Sequence, residues 1–268
     1  MVGGFWNVET MQRLRGRILR ILSDLKPEAS NVDSVFTTVE QARKTDNYFL
    51  GSGDKIAFFW EEHAKDKSGT LVQKPEECVN KIGHALHDLD DEFRAVSYDA
   101  RVGMICKDLG LEVPLVVQSM YIFKQANIGG EVSAHQDGAF LYTEPQSVLG
   151  FWWPLDDCTT SNGCLWAVPG SHRWGMKRRF RRRDPPEEGT EFEPKEPINW
   201  DLTGAIPLEI RKGSLVLIHH SLVHYSCANN SPNPRHAYSI HIVDGKEGIL
   251  YPKDNWLQKT NGPFNKIL

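Results

Sequence analysis

This chain of 268 residues lacks several common devices. Its five cysteines, Cys78, Cys106, Cys158, Cys164 and Cys227, form no C-x-x-C pair. Neither a zinc ribbon nor a disulfide framework is suggested, because the first needs such pairs and the second an even set in a short secreted chain. Free thiols fit a reducing compartment. No stretch stays apolar for the roughly 18 residues that a membrane span needs. The opening MVGGFWNVET has neither the basic n-region nor the long apolar run of a signal peptide. The final FNKIL is not an SKL-type address, so a cytoplasmic location is expected. A net charge of -4 carries no basic excess that would draw the chain to nucleic acid or to a membrane. Internal repeats and an obvious domain linker are also missing.

What is present is enough apolar material, 40% of residues, to bury a full core. Chains of this length often fold as one β sandwich or barrel. Residues 7 to 26 read as an amphipathic helix: Asn7 is a candidate cap, Val8, Met11, Leu14, Ile18, Leu22 and Leu25 recur at helical spacing, and Pro27 marks the end. A second helix is expected from about Asp90 to Leu109, with Phe93, Val96, Ala100 and Met104 on one face and Gly110 as its cap. From Pro114 the texture changes. PLVVQSMYIFK, EVSAHQD, VLGFWWPLD, GCLWAVP, SLVLIHHSLVHYSC and HAYSIHIVD read as strands separated by Gly, Pro, Asn and Ser clusters. Many short strands favour a sandwich or barrel over a βαβ fold. The expectation is a single domain over 1–268, with a helical part at about 1–112 and a β core at about 113–250. The polar, Pro-rich stretch 173–205 is too long for a turn and reads as a lid or an insertion.

The chemistry is concentrated in SAHQDGAF, residues 133 to 140. His135 and Asp137 are two apart, so on a strand they share a face. Alone, such a pair is usually structural. A third ligand from a distant strand would complete the 2-His-1-carboxylate facial triad of non-haem Fe(II) oxygenases, which leaves three metal positions open. LVLIHHSLVHYS offers His219, His220 and His224. In a regular strand His220, Leu222, His224 and Ser226 share one face. In a hairpin centred near Ser231, Arg235 would sit roughly opposite Ser226. The guanidinium and the hydroxyl could then grip a carboxylate of an anionic co-substrate. His224 is therefore the preferred third ligand, His220 the runner-up, and His219 is expected to face away.

His135-x-Asp137, His224-x-Ser226 and Arg235, eleven residues after His224, together with NGCLWAVPGSH (162 to 172), NKIGHALHDLD (80 to 90) and QSMYIFKQ (118 to 125), resemble the phytanoyl-CoA dioxygenase family over roughly residues 48 to 260. The resemblance implies a mainly β fold with flanking helices, the double-stranded β-helix or jelly roll of cupin-like proteins. It implies Fe(II) as metal and 2-oxoglutarate as co-substrate. It also places Lys81, Met120, Gln136 and Trp152 around that co-substrate, Lys81 reaching a carboxylate and Trp152 forming a wall. Family members usually open with a longer segment carrying a strand, so an edge strand of the major sheet is expected to be missing. Asp137 argues against a halogenase, which needs the carboxylate position vacated for halide. The implied reaction is hydroxylation of a small-molecule or acyl-thioester substrate with O₂, releasing succinate and CO₂.

Other residues have blander readings. His84, His87 and His241 are expected to be hydrogen-bonded structural histidines. His172 divides between the substrate end and a turn. Tyr121, Phe123, Phe140, Tyr142, Phe151, Trp153 and Trp166 belong mostly to the core by strand period, with Phe140 and Tyr142 close enough to the metal pair to touch substrate. In KRRFRRR (177 to 183) six of seven residues are basic. A solvated loop is the first reading, a contact for an anionic substrate the second and a nucleic-acid patch the third; nucleic acid is not the expected partner. Beside the oxygenase stands one alternative of another class, a non-catalytic metal-binding jelly roll that acts through partners.

Overall fold

The computed structural model describes residues 1–27, 32–38, 46–185 and 187–267. Two antiparallel sheets carry the fold, and the chain repeatedly crosses between them. The major sheet runs in the order β1 (Ile56–Trp60), β2 (Val79–His84), β3 (Pro114–Ile122), β12 (Ala237–Asp244), β5 (Leu149–Pro154), β10 (Val216–His219), with the short β13 (Asn265–Lys266) also on β3. The minor sheet runs β4 (Val132–His135), β11 (His224–Ser226), β6 (Leu165–Ala167), β9 (Ile206–Leu208). From β3 to β6 successive strands alternate major, minor, major, minor, and β9 to β12 repeat the alternation from the minor sheet. This is the jelly roll, and it buries one face of each sheet against the other. A separate hairpin pairs β7 (Arg179–Arg182) with β8 (Thr190–Glu193).

The outer face of the major sheet packs on helices α1 (Val8–Leu25), α4 (Asp91–Ser97) and α5 (Ala100–Asp108); the single turns α2 (Asn47–Leu50) and α3 (Leu86–Leu89) complete the helical set. Asn7 caps α1 by accepting from the Thr10 N–H at 2.8 Å, and Lys26 ends it in the left-handed region at φ 46°. Met11, Leu14, Ile18, Ile21 and Leu22 are buried. Val8, in the first turn, stays exposed, and Ile21 takes a place on the apolar face instead.

Five expectations need correction. The helix expected over 90–109 is two helices, because Asp99 accepts from the Arg101 N–H and starts a second one after Ser97. The break turns the helical face, so Val102 and Cys106 are buried while Met104 is exposed. The part expected to be helical, 1–112, contributes β1 and β2 to the major sheet. The strand expected over 214–227 is two strands, β10 and β11, because the chain leaves the major sheet after His219 and enters the minor sheet at His224. For the same reason no hairpin sets Arg235 opposite Ser226: β11 and β12 lie in different sheets. At the outer edge of β10, Val2 and Leu215 exchange two backbone hydrogen bonds of 2.8 Å, so the opening residues pair where an edge strand was expected to be missing.

Strand alternation divides the major sheet cleanly. Tyr121, Phe123, Phe151, Trp153, Tyr238, Ile240 and Ile242 pack with the helices. Trp153 stacks on Trp6 with ring centroids 4.7 Å apart, and Tyr238 shares a 2.7 Å hydrogen bond with Ser97 of α4. The opposite residues, among them Gln118, Met120, Gly150, Trp152 and His241, face the minor sheet, where the site lies. Trp153→Ala removes the ring against which Phe5 and Trp6, just ahead of α1, are packed and is expected to cost about 3–5 kcal/mol in a urea unfolding experiment. A loss below about 1 kcal/mol would show that the stack is not what fastens this opening segment to the sheet.

Candidate metal centre and active site

The minor sheet pairs His224 directly with His135, and their ring centroids are 4.3 Å apart. Asp137 follows β4 in a single 3₁₀ turn, which brings its carboxylate back between the two imidazoles. Nε2 of His135 is 3.4 Å, and Nε2 of His224 3.5 Å, from Asp137 Oδ1. The three ligand atoms lie within 4.8 Å of one another. Each imidazole is held by its other nitrogen: His135 Nδ1 bonds the Ser133 carbonyl at 2.8 Å and His224 Nδ1 the Leu222 carbonyl at 3.0 Å. Backbone oxygens can only accept, so both rings carry their proton on Nδ1 and turn an Nε2 lone pair to the common point.

Burial pulls His224 down to about 4, against the opposing pull of Asp137. Burial also opposes ionisation of Asp137, but His224, then His241 and His135, outweigh it and hold the carboxyl well below the usual carboxylate range. A neutral His224 and an ionised Asp137 suit a divalent metal, which binds imidazole lone pairs and carboxylates. Asp137 Oδ2 is buried without a hydrogen-bond partner. Such an orphan is costly by itself and is relieved by a bound cation.

The major sheet supplies the floor. A Cβ on Gly150 would lie 3.0 Å from Asp137 Oδ2 and 3.1 Å from Ile218 Cβ, so glycine makes room for the carboxylate. Beside it on β12, His241 Nε2 is 3.3 Å from Asp137 Oδ2. His241 was expected to be merely structural, and the structure corrects this. Its signal lay only in the register of β12 against β5, which a sequence does not display. His84 and His87 are buried and bonded to Ser52 and Ser119, as structural histidines are. His219 and His220 lie outside the triad, and His172 is exposed.

A cavity of about 450 Å³ opens beside His135 and Asp137. At one end it is lined by Lys81, Gln118, Met120 and His241, and further out by Phe36, Phe140, Phe180, Ile198 and Trp200. Lys81 Nζ sits 3.7 Å above the Phe36 ring and 3.8 Å from Met120 Sδ. Gln118 carried no sequence signal of its own. Gln136 is not turned to this cavity: its amide donates to the Gly175 and Ser221 carbonyls and accepts from the Lys177 N–H, so it braces the turns behind the triad. Tyr142 is engaged by Glu144. Arg235 is fully buried, with its guanidinium 5.3 Å from the Trp152 ring, Nη2 on the Gly163 carbonyl at 2.8 Å and Nε without a partner. Ser226 is linked to it through Lys124, whose Nζ donates to Ser226 Oγ at 3.0 Å and whose carbonyl accepts from the Arg235 N–H at 3.1 Å, and not across a hairpin.

Most arginines of the basic run are engaged by the chain's own acids and carbonyls. Arg179 pairs with Asp254, Arg181 with Glu191 at 2.8 Å, Arg182 with the Trp256 and Leu50 carbonyls, and Arg183 with Glu187 at 3.3 Å. Stretch 173–205 thus contains an ordered hairpin whose Arg178 and Phe180 reach the cavity.

The profile of the phytanoyl-CoA dioxygenase family matches residues 1–237. A phytanoyl-CoA dioxygenase of Arabidopsis thaliana is 42% identical over 98% of this chain and 90% of its own length. The phytanoyl-CoA dioxygenase domain-containing protein 1 of Bos taurus is 44% identical over 96% of this chain and 89% of its own. Among solved structures, the epimerase SnoN in complex with Fe3+, alpha ketoglutarate and nogalamycin RO superposes with a TM-score of 0.61 at 15% identity, over 100% of this chain and 87% of that one. The chain belongs to the phytanoyl-CoA dioxygenase family, and its fold is that of the non-haem oxygenases. No helix among the described residues is long and apolar enough to cross a membrane.

Because Gly150 leaves space for a ligand oxygen, Gly150→Ala is expected to weaken Mn(II) binding about 10- to 100-fold, as loss of support behind a metal ligand does. Calorimetric titration would show it, with the near-ultraviolet circular dichroism of the fold retained. Unchanged affinity would mean that Asp137 has room to move aside.

Proposed function

We propose that this chain is an Fe(II)- and 2-oxoglutarate-dependent dioxygenase that hydroxylates an apolar small molecule or acyl group, releasing succinate and CO₂. The observation that carries this reading is a pre-formed His135, Asp137, His224 triad facing the same sheet surface as a buried Arg235. The residues fit both groups: the triad has its proton donors turned away, and Asp137 Oδ2, Arg235 Nε and Ser239 Oγ are buried polar atoms without partners. The family and the iron- and ketoglutarate-bound SnoN structure support the same reading.

Fe(II) held there, with 2-oxoglutarate and O₂, would supply the oxidising power for C–H hydroxylation; that chemistry belongs to the cofactor. The chain's own part is orientation and exclusion of water. Arg235 and Ser226 would take the distal carboxylate, and Trp152 beneath the guanidinium keeps that end dry. Lys81 and Met120 would border the co-substrate from β2 and β3. Phe140, Phe180, Ile198 and Trp200 would hold the apolar part of the substrate next to the metal. The surrounding aromatic surface favours an apolar group over a sugar or a nucleotide at that position.

The test is turnover without a prime substrate. Protein loaded with Fe(II) under anaerobic conditions would receive 2-oxoglutarate and O₂, and succinate would be quantified. Wild type is expected to form succinate slowly and His135→Ala none above background. Arg235→Leu is expected to raise the KM for 2-oxoglutarate about 30-fold or more, since truncating one partner of a buried charged contact costs about 2–5 kcal/mol. A wild-type chain that binds neither Fe(II) nor 2-oxoglutarate would point to a non-catalytic jelly roll instead.

A further inference from the structure

The inner face of the major sheet is arranged in rungs. Register sets His241 beside Gly150 and Gln118, Ser239 beside Trp152 and Met120, and Ala237 beside Pro154 and Ile122. One step beyond both strands, the N–H of Arg235 donates to the carbonyl of Lys124 at 3.1 Å. Same-face residues two apart are separated by ~6.6–6.8 Å along a strand, so the triad and these two cations occupy opposite ends of one face.

Lys124 and Arg235 are each only 2% exposed. Their side-chain partners are neutral. Arg235 holds the Gly163 carbonyl, and Lys124 Nζ donates to the Gly130 carbonyl and, at 3.0 Å, to Ser226 Oγ. Among the described residues neither cation has a carboxylate at ion-pair distance. Asp156 and Glu61 act on Arg235, and Glu61 and Glu131 on Lys124, but Asp156 is paired with Arg15, while burial pushes the Glu61 carboxyl up toward the neutral form and its Oε2 already accepts from Asn80 and the Gly130 N–H. Two buried like charges with neutral partners are unfavourable until an anion joins them. Lys124 also adopts the left-handed φ of 41°, a conformation that non-glycine residues seldom take.

We propose that Lys124 is a positioning residue for the distal carboxylate of the 2-oxo acid co-substrate, acting through Ser226 and beside Arg235. The inference rests on the function proposed above. By donating to Ser226 Oγ, Lys124 occupies a lone pair of that oxygen and leaves the hydroxyl proton free to donate outward. A hydrogen bond from that proton to a carboxylate is charge-assisted. Burial, then Arg235, draws Lys124 down to about 7, while Glu61, Cys227 and Glu131 pull the other way. An entering carboxylate restores the charge.

The test compares two ligands on the Mn(II)-loaded protein by calorimetry: 2-oxoglutarate, and 2-oxobutyrate, which chelates through the same end but has no distal carboxylate. Lys124→Met is expected to weaken 2-oxoglutarate about tenfold or more and to leave 2-oxobutyrate unchanged. Equal losses for both acids, or no loss for either, would overturn the proposal. Should that variant fail to fold, wild type alone decides. Its preference for 2-oxoglutarate over 2-oxobutyrate is expected to fall severalfold from about pH 6 to about pH 8.5 as Lys124 loses its proton, because protonation of the triad histidines affects both acids alike and cancels. A flat ratio would overturn the proposal. A wild type that binds 2-oxobutyrate but not 2-oxoglutarate would overturn it as well, whereas binding of neither acid would sink the functional reading together with it.

Discussion

The pairing of His135 with His224 across β4 and β11 is the constraint on which the site depends. A slip of one residue would turn one imidazole to the other side of the minor sheet. The register is held from several directions. Ser226 lies across from Leu165 on β6, the Val223 N–H donates to Ser171 at 2.8 Å, and Gly138 N–H donates to the His220 carbonyl at 3.0 Å. Strand pairing therefore brings the two histidines together, and the carboxylate of Asp137 is delivered by the turn that ends β4.

The second constraint is electrostatic. Between the two sheets the chain buries a carboxylate with an orphaned oxygen at one end and two cations at the other. The carboxylate draws support from His224, His241 and His135, whereas the two cations have only neutral hydrogen-bond partners. The separation of charge along one sheet face suits a ligand that is anionic at its far end and chelates at its near end. Trp152 and Ile122, lying between, keep water from screening either end.

Loops and the hairpin finish the cavity. β7 and β8 are fastened by ion pairs to the Asp254 region, so the basic run serves as a clamp that presents Phe180 and Arg178 inward. From sequence the arginine-rich run read first as a solvated loop and second as a contact for an anionic substrate. Its acidic partners are Glu191, directly across the hairpin from Arg181, and Asp254, which is remote in sequence from the Arg179 it holds.

The local residues by themselves determined a good deal. Alternating β-branched and aromatic residues marked β3, β5 and β12, the N-cap and spacing marked α1, and H-x-D with a distant H-x-S and an arginine marked the histidine–carboxylate cluster and the buried guanidinium. Such signals are local because side-chain period and capping are properties of a few neighbouring residues. Other features were decided only by the tertiary structure. The chain's crossing between sheets divided 214–227 into two strands and left Ser226 linked to Arg235 through Lys124 rather than by a hairpin. The register of β12 on β5 carried His241 to Asp137, and the close approach of Asp137 made Gly150 necessary. Gln136, although it stands between two ligands, was turned outward to backbone carbonyls by the same pleat that turns its neighbours inward. These outcomes depend on which strand lies beside which, and that is settled by burying two sheet faces at once, a condition no single segment of sequence expresses.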